Sequence, residues 1–408
     1  MDIPGLPARK AALRLLDAVL RRGETLDLAA NGALQGLRSA PDKALARALA
    51  SEVLRWLVDL DALIDSATRL PLADDAKART VLRLMLAGWL RLDTPPHAVI
   101  ATGLELLSGG PRRLAHGVFS ALVRRNVKLP SVPTLPDAVQ QRWGERTTGI
   151  AKGLALPPPL DLTLADPAAT AEWAERLGGT SLLPGHVRLA RGDAVENIEG
   201  FDSGAWWVQD LAASLPARLL GVGEGRSALD LCAAPGGKTM QLASAGWQVT
   251  ALDSSAKRLE RMQANLSRTG LTAELVQGDM REWQPAQQFD AVLLDAPCSA
   301  TGTCRRHPDV LHRIGARQIA ELAELQAALL ARAAGWLKPG GRLIYAVCSL
   351  EREEGAEQAA RVALAPEPIS AAELPGFAPT PEGWLCTDPG MLAEVGGLDG
   401  FFIARWQA

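Results

Sequence analysis

Two cysteines each close a short apolar run. Asp290 to Leu294 leads into Asp295-Ala296-Pro297-Cys298, and Leu343 to Val347 leads into Cys348-Ser349. Upstream stands Leu229-Asp230-Leu231-Cys232-Ala233-Ala234-Pro235-Gly236-Gly237-Lys238-Thr239. A pair of thiols behind a nucleotide-type loop fits nucleophilic catalysis on a poor electrophile. Cytosine is such a substrate, because its C5 is too weak a nucleophile to take a methyl group unaided. A thiolate that adds to C6 turns the ring into an enamine, and C5 can then attack a sulfonium methyl. A base must next remove the C5 proton so that the thiol leaves. A free Cys has a pKa of about 8.5, so the site must supply positive charge. Lys238, Arg305 and Arg306 are candidates by position, and Asp295 could contact the N3/N4 edge of the base. This chemistry alone leaves open which of Cys298 and Cys348 is the nucleophile. Cys232, Cys304 and Cys386 read as small buried residues or bystanders. The spacing of Cys298 and Cys304 lacks the pattern of a metal site, and none is expected.

Gly236-Gly237 follows a candidate strand and opens a helix, where backbone N–H groups can meet a ligand. A phosphate-gripping Walker A loop would need Gly at 232, where Cys232 stands. The dinucleotide fingerprint Gly-x-Gly-x-x-Gly is absent after this strand. A loop with so few phosphate-binding features suits a nucleoside without phosphates, such as S-adenosyl-L-methionine. Asp253, ending the next strand, could accept both ribose hydroxyls. Asp279, ending the third, could reach an adenine amino group. A helix N-cap is the alternative for any one of these acids, and Asp253 before Ser254-Ser255 fits it well. Amino-group methyltransferases carry Asp-Pro-Pro-Tyr after the fourth strand; here Cys298 replaces the aromatic residue, which favours carbon methylation.

The elements that must position these residues are legible from about residue 206. Candidate strands are Ala228–Cys232, Gln248–Leu252, Ala273–Gln277, Ala291–Leu294, Arg342–Val347 and Phe401–Trp406. Helices fill Lys238–Ala245, Ala256–Thr269 and Gln318–Trp336, the last stopped by Lys338-Pro339-Gly340-Gly341. Such alternation predicts an α/β domain with a doubly wound, mostly parallel, Rossmann-like sheet over 206–408. Residues 1–130 are expected to be all-helical, from the spacing of Leu15, Leu16, Val19 and of Leu45, Leu49, Val53. Pro130, Pro133 and Pro136 mark a linker, and 131–205 reads as a small α/β module. It has a helix over 137–152, an extended piece over 160–164 and a helix near Pro167.

At 408 residues and 48% hydrophobic the chain can bury a sizeable core. Met1-Asp2-Ile3-Pro4 begins no signal peptide, and no apolar stretch is long enough to span a membrane. Five cysteines without framework spacing favour free thiols in a reducing, cytoplasmic compartment. The net charge of −3 divides into +6 over residues 1–130 and −9 over the rest. A basic helical domain can attract nucleic acid, although a solvated helical surface gives the same count.

These residues resemble a family. Leu229–Thr239, Asp295–Gly302 and Cys348-Ser349 look like the main motifs of the RNA cytosine-5 methyltransferases. Ser299-Ala300-Thr301-Gly302 followed by Arg305-Arg306-His307-Pro308-Asp309 is similar to the bacterial RsmB/Sun (Fmu) branch, which methylates small-subunit ribosomal RNA. Pro95-Pro96-His97-Ala98 and His116-Gly117-Val118-Phe119 resemble its NusB-like helical domain. Phe201 to Ala212 resembles the segment leading into its catalytic domain, and Asp399-Gly400-Phe401-Phe402 its final strand. The resemblance implies a NusB-like RNA-binding domain, the small module, and a methyltransferase domain that uses S-adenosyl-L-methionine. It implies that Cys232, Ala233, Ala234, Pro235, Gly236, Gly237 and Lys238 form the cofactor loop, with Asp253, Asp279 and Asp295 as further cofactor-site acids. It also implies that Cys348 is the nucleophile and that Cys298 assists elimination. The expected partner is small-subunit ribosomal RNA, and the expected state a monomer. A transfer-RNA target and a non-catalytic RNA-binding factor are the alternatives. Thr303-Cys304 and Val310-Leu311-His312 depart from the family's usual residues, which bears on RNA contacts rather than on the chemistry.

Overall fold

The computed structural model describes residues 3–192 and 194–408. The chain forms two compact units. One runs to Ala155 and takes in Cys304–Ile314; the other comprises Leu156–Thr303 and Gly315–Ala408.

The first unit is helical. Its main helices are α1 (Leu6–Arg22), α2 (Leu26–Ala33), α3 (Ala40–Arg55), α4 (Leu57–Asp65), α5 (Lys77–Leu90), α6 (Pro96–Gly103) and α7 (Gly109–Arg124). Helix α1 buries Ala8, Ala11, Ala12, Leu15, Leu16 and Val19 at helical spacing and ends on the left-handed Gly23 (φ 69°). Helix α5 is buried nearly all round, through Val81, Leu82, Leu84, Met85, Leu86 and Ala87. Its two buried arginines are paired rather than bare. Arg83 grips Asp61 through two bonds of 2.7 Å, and Arg79 reaches Asp65 at 2.8 Å. The unit continues past the linker expected at 131 to include α8 (Asp137–Trp143) and α9 (Thr147–Leu154). The single helix expected over 137–152 is thus two, because Gly144 adopts φ 53° and ψ −128°, which no helix tolerates.

Cys304–Ile314, with the short α14 (Val310–Arg313), belongs to this helical unit. Arg55 Nη2 donates to Arg305 O at 2.6 Å, and His312 Nε2 to Leu54 O at 2.6 Å. Arg305 and Arg306, expected as cations for a thiolate, are therefore residues of the first unit. Nothing in the local letters distinguishes a segment that packs with helices about 250 positions away.

The second unit carries two sheets. A small antiparallel one has the order β2-β1-β3, with β1 Leu160–Leu164, β2 His186–Leu189 and β3 Trp206–Val208. After α10 (Thr170–Arg176) and α11 (Leu211–Arg218) comes the large sheet. Its strands are β4 (Ser227–Leu231), β5 (Gln248–Asp253), β6 (Glu274–Gln277), β7 (Phe289–Asp295), β8 (Leu337–Val347), β9 (Ala365–Pro366), β10 (Leu385–Thr387) and β11 (Phe401–Gln407). The main order is β10-β11-β8-β7-β4-β5-β6, with β9 paired to β11. Strands β4 to β8 pair in parallel and β11 runs antiparallel to β8. The connecting helices are α12 (Gly237–Ser244), α13 (Ala256–Thr269) and α15 (Ala316–Ala334). Every strand expected from the apolar runs is present, within a few residues of its bounds.

The runs are apolar because both faces are covered. Leu229, Leu231, Val292, Leu294, Leu343 and Tyr345 pack with Leu329, Leu330 and Ala333 of α15. Ala228, Ala291, Leu293, Ile344 and Ala346 pack with Leu211, Ala212 and Leu215 of α11. Lys338-Pro339-Gly340-Gly341, read as the stop of the preceding helix, follows the end of α15 and lies inside β8. Its register with β7 slips between Phe289 and Ala291, a bulge that accommodates the proline. Among the described residues no helix is long and apolar enough to cross a membrane.

The chain runs outward through β4, β5 and β6, then returns to β7 on the other side of β4. The switch point of an open α/β sheet, where ligands bind, thus lies between the carboxyl ends of β4 and β7.

Candidate active site

Five strand ends bring the chemistry together. The loop after β4 carries Cys232 to Gly236, and α12 begins at Gly237. Cys232 itself takes φ 59°, which turns the chain sharply at the strand end. Ala233 N donates to Leu252 O at 3.1 Å, and Ala234 N to Asp253 Oδ2 at 3.1 Å, so β5 holds the loop. Gly236 has φ 102°, and a Cβ there would stand 2.7 Å from Met262 Cγ. The loop needs glycine at that position for both conformation and space.

Beneath the loop, Asp230 is fully buried and accepts from Thr239 Oγ1 at 2.5 Å. Its Oδ1 has no hydrogen-bond partner among the described residues. Burial raises its pKa to about 7, against the opposing Thr239 bond. The unfolded carboxyl ionises near 4, so between about pH 4 and 7 the folded state holds the extra proton. Stability therefore falls as pH rises through that window and levels off above it. Asp230→Asn, which keeps an acceptor for Thr239, is expected to escape this loss. Its stability relative to wild type should improve from pH 5 to pH 8, by up to about 1.4 kcal/mol per pH unit crossed. Urea unfolding followed by tryptophan fluorescence at the two pH values checks this; an unchanged difference contradicts it.

Asp253 is buried at the end of β5 with both oxygens engaged. Oδ1 accepts from Ser255 N at 2.9 Å, and Oδ2 from Ala234 N and from Arg258 Nη2 at 2.7 Å. The helix cap expected of an acid here is supplied by Ser255 instead. Arg258 Nη2 also donates to Ala234 O at 2.5 Å, clasping the loop from α13. Asp279, just beyond β6, is half-exposed, and both of its oxygens face Arg281 at 2.5–3.0 Å. That pairing lowers its pKa to about 2.

Asp295 ends β7 and accepts from Lys238 Nζ at 2.7 Å. Lys238 is buried, and burial works against its charge, but the Asp295 carboxylate outweighs it and its pKa lies above the usual value. The ammonium also feels Cys348 and sits 5.3 Å from the Phe401 ring centroid. Of the three cations named from the sequence, Lys238 is the one this unit supplies.

Strands β7 and β8 pair Asp295 with Ala346, so Cys298 and Cys348 leave neighbouring strands at one level. Their sulfurs stand 3.4 Å apart. Contact with Cys348, reinforced by burial, holds the Cys298 pKa well above the usual value. Either sulfur can donate to the other across that contact. Burial pushes the Cys232 thiol up to about 12, aided by Asp295 and Asp253, which leaves it inert. Cys304 lies in the first unit, and Cys386 is exposed on β10.

Residues outside the motifs complete the site. Glu354 is fully buried and bonds the residues that follow both cysteines, with Gln326 of α15 beside it. Its letters sit in Glu351-Arg352-Glu353-Glu354, which reads as a solvated charged run. Arg258 also went unread, as one of many cations along α13. Among the described residues no group of three metal-ligating side chains occurs.

Comparison with known proteins gives a consistent picture. Residues 217–407 match the family described as 16S rRNA methyltransferase RsmB/F, and residues 6–111 the NusB family. The ribosomal RNA small subunit methyltransferase B of Klebsiella pneumoniae subsp. pneumoniae is 36% identical, with 97% of each chain covered. That of Salmonella paratyphi B is 34% identical over the same shares. The crystal structure of PH0851 shares the fold over 100% of both chains, with a TM-score of 0.74 at 21% identity. NSun6 from Pyrococcus horikoshii, solved with SFG, covers 67% of this chain and 98% of its own at TM-score 0.59 and 20% identity.

Proposed function

Since the chain belongs to the RsmB/F family of 16S rRNA methyltransferases, with a NusB-family helical domain, we propose that it methylates C5 of a cytosine in small-subunit ribosomal RNA. The observation that carries this reading is the pair of sulfurs 3.4 Å apart beyond the ends of β7 and β8, with the Lys238–Asp295 pair at the adjoining switch point.

The cofactor is S-adenosyl-L-methionine, and the residues present fit it. The Cys232–Lys238 loop is fixed at the strand end by Leu252 O, Asp253 and Arg258, and its sequence lacks the phosphate-gripping pattern. The loop would hold it together with Asp253, Asp279 and Asp295. When bound, it supplies an electrophilic methyl group. Gly236→Ala is expected to weaken its binding at least about tenfold, because a left-handed backbone disfavours any side chain. Calorimetric titration checks this; unchanged affinity would remove the loop from the site.

The protein's own groups do the rest. Lys238 stabilises the Cys348 thiolate, which adds to cytosine C6 and moves an electron pair to C5. After C5 has gained its methyl, the C5 proton leaves, the C5–C6 double bond re-forms, and Cys348 departs as a thiolate. Cys298 assists that elimination. A sulfur with a raised pKa is little ionised and so a poor nucleophile in the first step. Once Cys348 is bonded to C6 it no longer holds the Cys298 proton in place, and Cys298, its proton passed to solvent, can accept the C5 proton. The basic helical unit would hold RNA, and the target cytosine would be turned out of its stack into the pocket.

Labelled methyl transfer to small-subunit ribosomal RNA, followed by digestion to nucleosides, tests the reading. The expected product is 5-methylcytidine; label on a ring nitrogen or on uridine overturns it.

A further inference from the structure

A single carboxylate joins the two cysteine loops. Glu354 Oε1 accepts from Ser299 N at 2.8 Å and from Gln326 Nε2 at 3.0 Å. Its Oε2 accepts from Ser349 Oγ at 2.5 Å and from Ser299 Oγ. Ser299 follows Cys298, and Ser349 follows Cys348. Gln326 Nε2 also donates to Pro297 O at 2.8 Å, so both neighbours of Cys298 are tied to the same cluster. Tyr345 OH donates to Glu354 O at 2.6 Å and anchors the residue to β8.

A buried charge is costly unless hydrogen-bonded, and here four donors meet two oxygens. Two of these donors, a backbone N–H and an amide, can only donate, which demands an acceptor. Displacing either cysteine loop would strip the carboxylate of donors in a site that water does not reach.

We propose that Glu354 is the positioning residue of the reaction, fixing Cys298 and Cys348 at the separation that successive addition and elimination require. The proposal rests on the functional reading above. Glu354 reaches the sulfurs through Ser299 and Ser349 and touches neither. Its negative charge adds to the influences that keep Cys298 protonated.

The test compares full-length wild type, Glu354→Gln and Glu354→Ala. Methyl transfer is measured against pH, with KM for S-adenosyl-L-methionine and for RNA. The rate at which diamide closes a Cys298–Cys348 disulfide is read by peptide mass. Glu354→Ala is expected to lower kcat by about 10²-fold, the cost of misplacing reacting groups by roughly an ångström. Both KM values should stay within about threefold, and the disulfide should close at least about tenfold more slowly. Glu354→Gln keeps an oxygen for Ser299 N–H, and its amide faces hydroxyls that can turn to accept. It should recover to within about tenfold of wild type. The rising limb of its pH profile should move to lower pH, because a negative charge has left the neighbourhood of Cys298, whose ionised form accepts the C5 proton. Wild-type kcat in Glu354→Ala overturns the proposal. If that variant does not fold, Glu354→Gln decides. Reduced kcat with a displaced limb supports the proposal, and wild-type kcat with an unmoved limb overturns it. If the wild type itself methylates no cytosine, the functional reading fails. The disulfide rates then judge the clamp alone, and equal rates in wild type and variants overturn it.

Discussion

Cys348→Ala is expected to lower methyl transfer by about 10⁴-fold or more, while S-adenosyl-L-methionine binds as it does to wild type. The two outcomes separate because different elements carry them. The proposed cofactor loop is held by β5 and α13, through Leu252 O, the Asp253 carboxylate and Arg258. The sulfur proposed to react hangs from β8, two residues past the Asp295–Ala346 pair. Without that sulfur nothing adds to C6, and C5 remains a poor nucleophile. Cys298 is not expected to substitute, since burial and the Glu354 charge still hold its pKa up when the Cys348 contact is gone. Single-turnover transfer and calorimetric binding read the two effects. Residual activity within tenfold of wild type would show that the reaction does not pass through Cys348.

Lys238→Met is expected to lower kcat at neutral pH by about 10²- to 10³-fold, the scale of losing one preorganised electrostatic partner. The substitution keeps the stem's bulk and removes the ammonium that faces both Asp295 and Cys348. Lys238 stays charged throughout the working range, because the Asp295 charge outweighs its burial. Its removal takes away the cation that faces Cys348 and leaves the Asp295 carboxylate unpaired. The variant's activity should therefore climb more steeply toward pH 9 than that of wild type. A pH–rate profile parallel to wild type's, merely scaled down, would make Lys238 a cofactor-loop residue with no bearing on the thiolate.

The centre of the large sheet was legible because burial on both faces writes β4, β7 and β8 as apolar runs, whereas the short β9 and β10 carry no such pattern. Ala291–Leu294 and Arg342–Val347 lie inside β7 and β8, and the loop glycines mark where α12 begins. The small sheet was harder. Strand β1 shows its apolar letters, but β2 is short and half polar. Its His186 and Arg188 are buried against Asp161, with Arg188 bonded to both carboxylate oxygens at 2.7 Å. Pattern reading treats such residues as exposed. The site divided the same way. Cys298, Cys348, Asp295 and the Cys232–Lys238 loop sit at strand ends, where their motif letters are contiguous in sequence. Glu354, Gln326 and Arg258 act through contacts distant in sequence, and their letters match those of a solvated surface. The assignment of Cys304–Ile314 to the helical unit is likewise a long-range property that no local pattern encodes.

Covalent trapping tests the central claim most directly. Wild type, Cys298→Ala and Cys348→Ala are each incubated with S-adenosyl-L-methionine and small-subunit ribosomal RNA and run on a denaturing gel. The account predicts a stable protein–RNA adduct in Cys298→Ala, where Cys348 adds to the base but release is impaired, and none in Cys348→Ala. An adduct in Cys348→Ala alone would contradict it and make Cys298 the nucleophile.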